Sequence, residues 1–418
     1  MDADRSTEPN ADLPEAIETR VAAHQPLPRN VKVLGGASLL NDIASEMIYP
    51  LMPQFLLTVL GGNRFYLGII EGLAESISSL LKLWSGALSD RAGQRKGFVL
   101  FGYSLAAVAR PLIGVATAPW HMLAARTADR VGKGLRTSPR DALIADSTPP
   151  GQRGRAFGFH RAMDHLGAAI GPVLATGFLL LWPGELRILF LLTIVPGLAV
   201  VALLAVGLRE KASELAAPEP VAGPRKRLDR NFQLYMASLI VFTLGNSSDA
   251  FLLVRAGELG VPTALLPLLW CAFHLVKSSG NLLVGRAVDR LGARPLIIGG
   301  WIFYAGVYLA FAAVSNAWQV TAVFLAYGLF YALTEPAEKT FVTSLVGETG
   351  KGLAYGWFNF AIGIATLPAS LIFGWLYEQY GSPVAFGWGA GLAIVAALLL
   401  TGAASPPAAN AKPAVSKE

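Results

Sequence analysis

Charged side chains are scarce in this chain. Lys, Arg, Asp and Glu make up 15% of its 418 residues, where a soluble domain carries roughly a quarter, so the composition argues against a water-soluble globule. Cysteine is almost missing. The one thiol, Cys271, excludes an intrachain disulfide framework, and its place inside an apolar run reads as packing. No grouping of His, Cys and acidic residues has metal-ligand spacing, and no nucleophile or phosphate-loop constellation appears. Neither an enzyme nor a bound metal or cofactor is therefore expected. Gly132-x-Gly134 is no nucleotide loop, because it follows an apolar helix rather than a strand. Residues 1–28 hold no hydrophobic segment, which excludes a signal peptide. Rich in Asp, Glu, Ala and Pro, they read as a disordered cytoplasmic arm, and the Ala/Pro/Lys tail 406–418 reads the same way. The net charge of +6 is spread over connections between apolar runs, not gathered on one face, which argues against nucleic acid as a partner.

What the chain has in abundance is apolar runs of about twenty residues, the length a helix needs to cross the hydrocarbon of a bilayer. They lie near 32–58, 66–89, 97–117, 119–140, 154–181, 186–208, 232–254, 263–286, 295–314, 318–340, 352–376 and 383–404. The expected fold is an all-α membrane protein of twelve transmembrane helices. Arg209 to Arg230 is the long hydrophilic stretch between the sixth and seventh runs. Residues 209–231 are thus expected to form a cytoplasmic linker between an N-terminal six-helix bundle (29–208) and a C-terminal one (232–405), packed as separate units. The even-to-odd connections hold Arg91, Arg95, Lys96, Arg136, Arg140, Arg153, Arg155, the linker cations, Arg290, Arg294 and Lys351. The opposite connections hold little beyond Arg64, Arg187 and Arg255. The positive-inside rule then puts both termini in the cytoplasm of a multi-pass protein of the cell inner membrane.

Between the second and third runs stands Gly86-Ala-Leu-Ser-Asp90-Arg91-Ala-Gly93-Gln-Arg95-Lys96. A weaker copy, Gly285-Arg-Ala-Val-Asp289-Arg290-Leu-Gly292-Ala-Arg294, follows the eighth, with Pro295 in place of a basic residue. Trp120 and Trp318 each open a fourth helix, and Pro139 and Pro336 fall near its end. Arg153-Gly154-Arg155-Ala156-Phe157-Gly158 answers Lys351-Gly352-Leu353-Ala354-Tyr355-Gly356 at the start of the fifth. The near-constant spacing of these partners marks a tandem duplication, with two pseudo-symmetric bundles.

On these motifs and the 6+6 arrangement, the chain resembles the major facilitator superfamily of secondary transporters from Val31 to Ser405. The resemblance implies a conformational latch made of Gly86, Asp90, Arg91, Gly93 and Arg95, with Asp289 and Arg290 in the second copy. Carboxylates near helix N-termini and guanidinium groups near C-termini are each favourable, so such a cluster, formed in one conformation and broken in the other, can hold a rocking bundle. The plain alternative is a loop that only obeys the positive-inside rule. In the fifth helix, Gly167-Ala-Ala-Ile-Gly171-Pro172 is similar to the core of a motif associated with antiporters, and physically it offers close helix approach and a proline kink. Ala175-Thr176 replaces the glycine pair that follows in that family. Arg126 is followed at the family's glycine position by Arg130. The runs Asn41-Asp42-x-x-Ser45-Glu46-x-x-Tyr49-Pro50 and Asp129 to Ala142 are similar to a prokaryotic branch whose members mostly lack an assigned substrate.

Ionisable residues inside the spans carry the functional expectation, because charge in hydrocarbon is costly and is kept off lipid. The first helix has Asn41, Asp42 and Glu46; the second Glu71, Glu75, Ser78 and Lys82 on one stripe; the third Arg110; the fourth Arg126, Asp129, Arg130 and Lys133; the fifth His160, Arg161, Asp164 and His165. The second half offers Asn246, Asp249, His274, Lys277, Asn281, Glu335, Glu338 and Asn359. In the family the first, fourth, seventh and tenth helices line the cavity. The expected substrate-binding set is Asn41, Glu75, Arg110, Arg126, Arg130, Asn246, Asp249 and Glu335. Asp42, Glu46 and Asp164 are the expected proton carriers, since burial favours the neutral form of a carboxyl. Glu75 with Lys82, or Arg126 with Asp129, could instead be structural ion pairs. The expected function is alternating-access transport of a small charged or zwitterionic solute by a monomer, coupled to protons and directed outward. The alternatives are uptake or exchange of an organic anion held by Arg110 and Arg130, or a membrane receptor or enzyme, for which no constellation is present.

Overall fold

A computed structural model describes residues 26–92, 94–149, 152–210, 230–346 and 351–403. The expected linker core, 211–229, the arm 1–25 and the tail from 404 lie outside the described residues. The fold is all helix: α1 (Arg29–Ile48), α2 (Arg64–Ala92), α3 (Lys96–Gly114), α4 (Pro119–Asp146), α5 (Arg153–Leu181) and α6 (Leu186–Leu192, running on as Ile194–Gly207) form one half. The other half is α7 (Arg230–Gly245, then Ala250–Glu258), α8 (Leu266–Leu291), α9 (Ala293–Ala313), α10 (Ala317–Val346), α11 (Lys351–Tyr380) and α12 (Ser382–Thr401). Among the described residues, eight of the twelve, all but α1, α2, α4 and α8, contain windows long and apolar enough by composition to cross a membrane. Large apolar side chains such as Val206 (81% exposed) and Leu181 (71%) face outward, as they do where the surrounding solvent is lipid.

The two halves repeat one packing plan. Helices α1–α5, α2–α4, α3–α4, α3–α6 and α1–α6 pack together in the first, and α7–α11, α8–α10, α9–α10, α9–α12 and α7–α12 in the second. Two six-helix bundles related by duplication follow directly. Glycine permits the closest crossings. A Cβ on Gly132 of α4 would sit 2.5 Å from the Gly102 carbonyl oxygen of α3, and one on Gly167 of α5 would sit 2.5 Å from the Leu39 carbonyl oxygen of α1.

Several boundaries differ from the hydropathy windows. Helices α2, α4 and α10 run on to Ala92, Asp146 and Val346, because the polar turns that leave the apolar window still hold good helix formers. Pro139 and Pro336 accordingly lie inside helices rather than near their ends. After Ile48, α1 tightens into a 3₁₀ turn at Tyr49–Leu51 and widens into a π turn at Phe55–Val59, around Pro50 and Pro53, which lack the amide donor a regular helix needs. Helix α7 is interrupted between Gly245 and Ala250.

Candidate functional site: the cavity between the bundles

The odd-numbered helices start at one end of the molecule, here the near end; the even-numbered start at the far end. The bundles are joined toward the far end. Arg64, which opens α2, donates to Glu258 Oε1 at 2.6 Å and to Glu378 Oε2 at 3.3 Å. Glu258 also accepts from the Tyr377 hydroxyl at 2.7 Å. One turn farther in, Gly68 brings the α2 backbone against the Ser370 carbonyl of α11, and about three turns in, the Ser76 hydroxyl donates to the Gly363 carbonyl at 2.6 Å. On the opposite flank, Trp270 Nε1–H of α8 donates to Glu46 Oε2 of α1 at 2.7 Å, and Cys271 Sγ lies 3.8 Å from the Ala169 carbonyl of α5.

A cavity of about 340 Å³ lies between the bundles. Tyr49, Glu71, Glu75 and Arg130 line it from the first half, and α7, α10 and α11 line it from the second, with Asn246, Ser247, Ser248 and Asp249 at the interruption of α7. Of the expected binding residues, Glu75, Arg130, Asn246, Asp249 and Glu335 meet here. Asn41, Arg110 and Arg126 are not among the lining residues. They belong to a buried polar network behind the wall. Arg110 donates to Asp129 Oδ1 at 2.9 Å and to the Asn41 carbonyl at 3.0 Å. Arg126 grips Glu71 with two bonds of 3.0 and 3.2 Å, stands 3.6 Å from Asp129 and lies over the Tyr49 ring. A pair this deep is strongly destabilised when one partner is lost, so these arginines hold α1–α4 together. Glu75 meets Arg130 at 3.8 Å rather than Lys82.

The second wall is built by aromatic packing of α9 and α10, where Tyr304, Tyr308, Tyr327 and Phe330 are buried. Asp249 accepts from the Tyr327 hydroxyl at 2.8 Å and the Tyr331 hydroxyl at 3.2 Å. Lys277 stands 3.6 Å from Glu335 and 4.0 Å over the Tyr331 ring. The Tyr304 hydroxyl donates to the Gly245 carbonyl at 3.1 Å, and Ser247 and Tyr308 hydroxyls share a bond of 3.2 Å. These contacts satisfy polar groups at a helix break within the membrane, which requires partners from protein or water. Sequence reasoning did not single out Tyr49 and Tyr331 as cavity residues. For Tyr331 the signal was present, one turn before Glu335 on the same face of a span.

The three expected proton carriers group on the α1–α5 seam. A Cβ on Gly167 would lie 2.9 Å from Asp42 Cβ, and one on Gly171 3.2 Å from Glu46 Cβ, so these small residues seat both acids between the helices. Pro172, next in the motif, is buried in α5. Asp42 accepts from the Asn41 amide at 2.9 Å. Asp164 accepts from the Ser38 hydroxyl and lies 3.5 Å from both His160 Nδ1 and Arg161 Nη1. None of the three lines the cavity among the described residues.

Of the expected latch, Gly93 and the side chains of Asp90, Asp289 and Arg290 lie outside the described residues. Gly86 packs against Ser138 of α4, and Arg91 is exposed in the last turn of α2. Around Arg95, the Glu210 carboxylate accepts the backbone amides of Arg95 and Lys96 at the start of α3, Arg95 pairs with Asp146 at the end of α4, and Lys96 Nζ donates to the Leu208 carbonyl at 2.7 Å at the end of α6. Glu210 at the start of α3 and Lys96 at the end of α6 thus each complement a helix dipole and unpaired helix-end groups, and this part of the cluster ties α3, α4 and α6 of one bundle.

A sequence model of the Major Facilitator Superfamily matches residues 34–276 and 234–418. The chain belongs to that superfamily. It is 33% identical over 381 residues to an uncharacterized MFS-type transporter of Methanocaldococcus jannaschii, covering 90% of this chain and 94% of the relative. It is 24% identical over 352 residues to the multidrug resistance protein MdtH of Photorhabdus laumondii, covering 82% and 85%. Among solved structures it is similar in fold to the nucleoside transporter NupG, with a TM-score of 0.73 at 11% identity, over 89% of this chain and 99% of that one. This member of the superfamily is a multi-pass membrane protein of a transporter family.

Proposed function

We propose that this superfamily member exports a small charged or zwitterionic solute across the cell inner membrane by alternating access, in exchange for protons, as a monomer. One observation carries the proposal: a cavity lined from both bundles by charged side chains, with the Arg64 and Gly68 contacts between the bundles on its far side and the Ser76 and Trp270 contacts flanking it. Rocking the bundles about this cavity breaks the Arg64, Gly68 and Trp270 contacts and exposes it to the far side. The basic connections support a cytoplasmic near end, and on that orientation the structure corresponds to a state closed toward the exterior. The charged lining disfavours a greasy drug pocket, which is mostly apolar. Arg110 is committed to Asp129 and to the Asn41 carbonyl, which leaves Arg130 as the guanidinium on the lining and weakens the organic-anion alternative.

Proton coupling is assigned to Asp42, Glu46 and Asp164. Glu46 is the member through which protonation reaches the other bundle, because its carboxylate receives the Trp270 indole N–H. Protonation removes the charge from that bond and loosens α1 from α8. A 24% identical relative named for multidrug resistance supports the outward direction. The test is solute uptake into everted membrane vesicles. Accumulation is expected to collapse on adding an uncoupler, and uptake indifferent to the pH gradient would defeat the proposal.

A further inference from the structure

The two walls of the cavity differ in charge: the N-terminal wall carries Arg130 together with Glu75 and Glu71, the latter held by Arg126, whereas the charged residues lining the C-terminal wall are acids. On the N-terminal wall, Arg130 stands 3.8 Å from Glu75, beyond hydrogen-bond range, and its Nε is buried with no hydrogen-bond partner. A buried guanidinium N–H without an acceptor is unfavourable, and an incoming oxyanion relieves it. The planar fork of arginine matches a carboxylate in particular. On the C-terminal wall stand Asp249, Glu335 and Glu338. The hydrogen-bond donors on the Asp249 carboxyl are two phenols, Tyr327 and Tyr331, rather than a cationic side chain. The wall also displays what it accepts. The Lys277 ammonium rests on the Tyr331 face and beside Glu335, a carboxylate and aromatic seat that suits an ammonium group. The cavity, about 340 Å³, falls in the range of small-molecule sites.

We propose that the cargo is a small zwitterion, with its carboxylate on Arg130 of the N-terminal bundle and its ammonium on Asp249 and Glu338 of the C-terminal bundle. The assignment rests on the transport reading and narrows it to a substrate class. A lone anion leaves the acidic wall uncompensated beside it, and a lone cation leaves Arg130 Nε without an acceptor. A zwitterion satisfies both walls and, by spanning them, binds more tightly when the bundles draw together. That differential contact is what lets a ligand drive a conformational change.

The test uses the full chain in lipid nanodiscs. Thermal denaturation is followed with a panel graded by the separation of ammonium and carboxylate: α-amino acids, dipeptides and ω-amino acids, each with its C-amidated and N-acetylated form. At least one zwitterion should raise the midpoint, with both of its modified forms binding at least about tenfold more weakly, as loss of a hydrogen-bonded charge contact requires. Arg130→Gln should then bind the zwitterion and its amide alike, and Asp249→Asn with Glu338→Gln should bind the zwitterion and its N-acetyl form alike. Should a variant fail to fold, the wild-type ranking of the three forms decides. Modified forms that bind as tightly as the zwitterion, or a panel in which nothing stabilises the protein, would overturn the assignment. Proteoliposomes holding a pH dye separate this result from the parent reading. A singly charged form that binds and moves protons sinks the zwitterion but leaves the transporter standing. A bound form that moves neither itself nor protons sinks the transporter.

Discussion

Replacing Glu46 by Gln should speed the chemical labelling of Cys271 about fivefold. The reasoning starts from the bond between Glu46 Oε2 on α1 and Trp270 Nε1 on α8, 2.7 Å long and shared between bundles. Tyr49 adds a ring contact to the same indole, with centroids 5.0 Å apart, and that contact is unchanged by the substitution. Glutamine keeps the size and an acceptor oxygen but removes the charge. A hydrogen bond to a charged group contributes about 1.5–3 kcal/mol and a neutral one about 0.5–1.5, so about 1 kcal/mol of the joining is lost. That amount changes an equilibrium roughly fivefold. The reporter is already in place. Cys271 is the chain's single cysteine, 6% exposed and seated on α8 against the Ala169 carbonyl of α5. A maleimide reaches it when α5 and α8 part, so the labelling rate follows the open fraction. The assay compares wild type and Glu46→Gln in membranes at one pH, with the denatured proteins as a reference for intrinsic thiol reactivity. An unchanged rate, or a slower one, refutes the idea that the charge on Glu46 holds the bundles together.

Three further outcomes follow from the packing. Arg126→Met or Glu71→Leu alone should lower thermal stability by about 3–5 kcal/mol, while the two together recover most of the loss, because a buried charge is tolerated with its partner and not without it; a double-mutant cycle on midpoints in detergent checks this. Gly167→Ala should destabilise by about 1–3 kcal/mol through overpacking against Leu39 and Asp42. Gly177→Ala, on the same helix with nothing within 4 Å of its added methyl, should be tolerated, and thermal denaturation distinguishes them. Arg64→Ala removes two partly exposed pairs worth about 0.2–1 kcal/mol each. Cys271 labelling should accelerate by about two- to thirtyfold, less at high salt.

The architecture was legible because the bilayer imposes a length and the duplication repeats its landmarks. Gly86 to Lys96 and its copy, with Trp120 and Trp318, set two groups of six in register. Composition could not place the helix ends. The segment Arg136 to Asp146 is too polar for a hydropathy window yet helical throughout. Nor did it show the interruption at Asn246–Ser248, where no proline stands and the break depends on tyrosines from α9, some sixty residues later in sequence. The site was legible as a population of charges and only in part as pairs: Arg126 does stand 3.6 Å from Asp129, one turn away on its own helix. Stripes on one helix suggested Glu75 with Lys82, whereas Arg126 reaches across to Glu71 and Arg110 to Asp129. Which charge meets which depends on how helices rotate against each other, and helical periodicity carries only the face. The expected binding arginines were thereby divided: Arg130 on the cavity, Arg110 and Arg126 behind it.

The central claim is that two bundles rock about the cavity, and spin-label distances at both ends of the α2–α11 contact test it most directly. In a Cys271→Ser background, Tyr66→Cys with Tyr380→Cys marks the far end, and Trp84→Cys with Trp357→Cys marks the near end, all four positions being exposed on the structure. Moving the protein from alkaline to acidic conditions should lengthen the far-end distance and shorten the near-end one within a single population shift. Two distances that change in the same direction, or a far-end pair that never separates under any condition, would contradict alternating access by these two bundles.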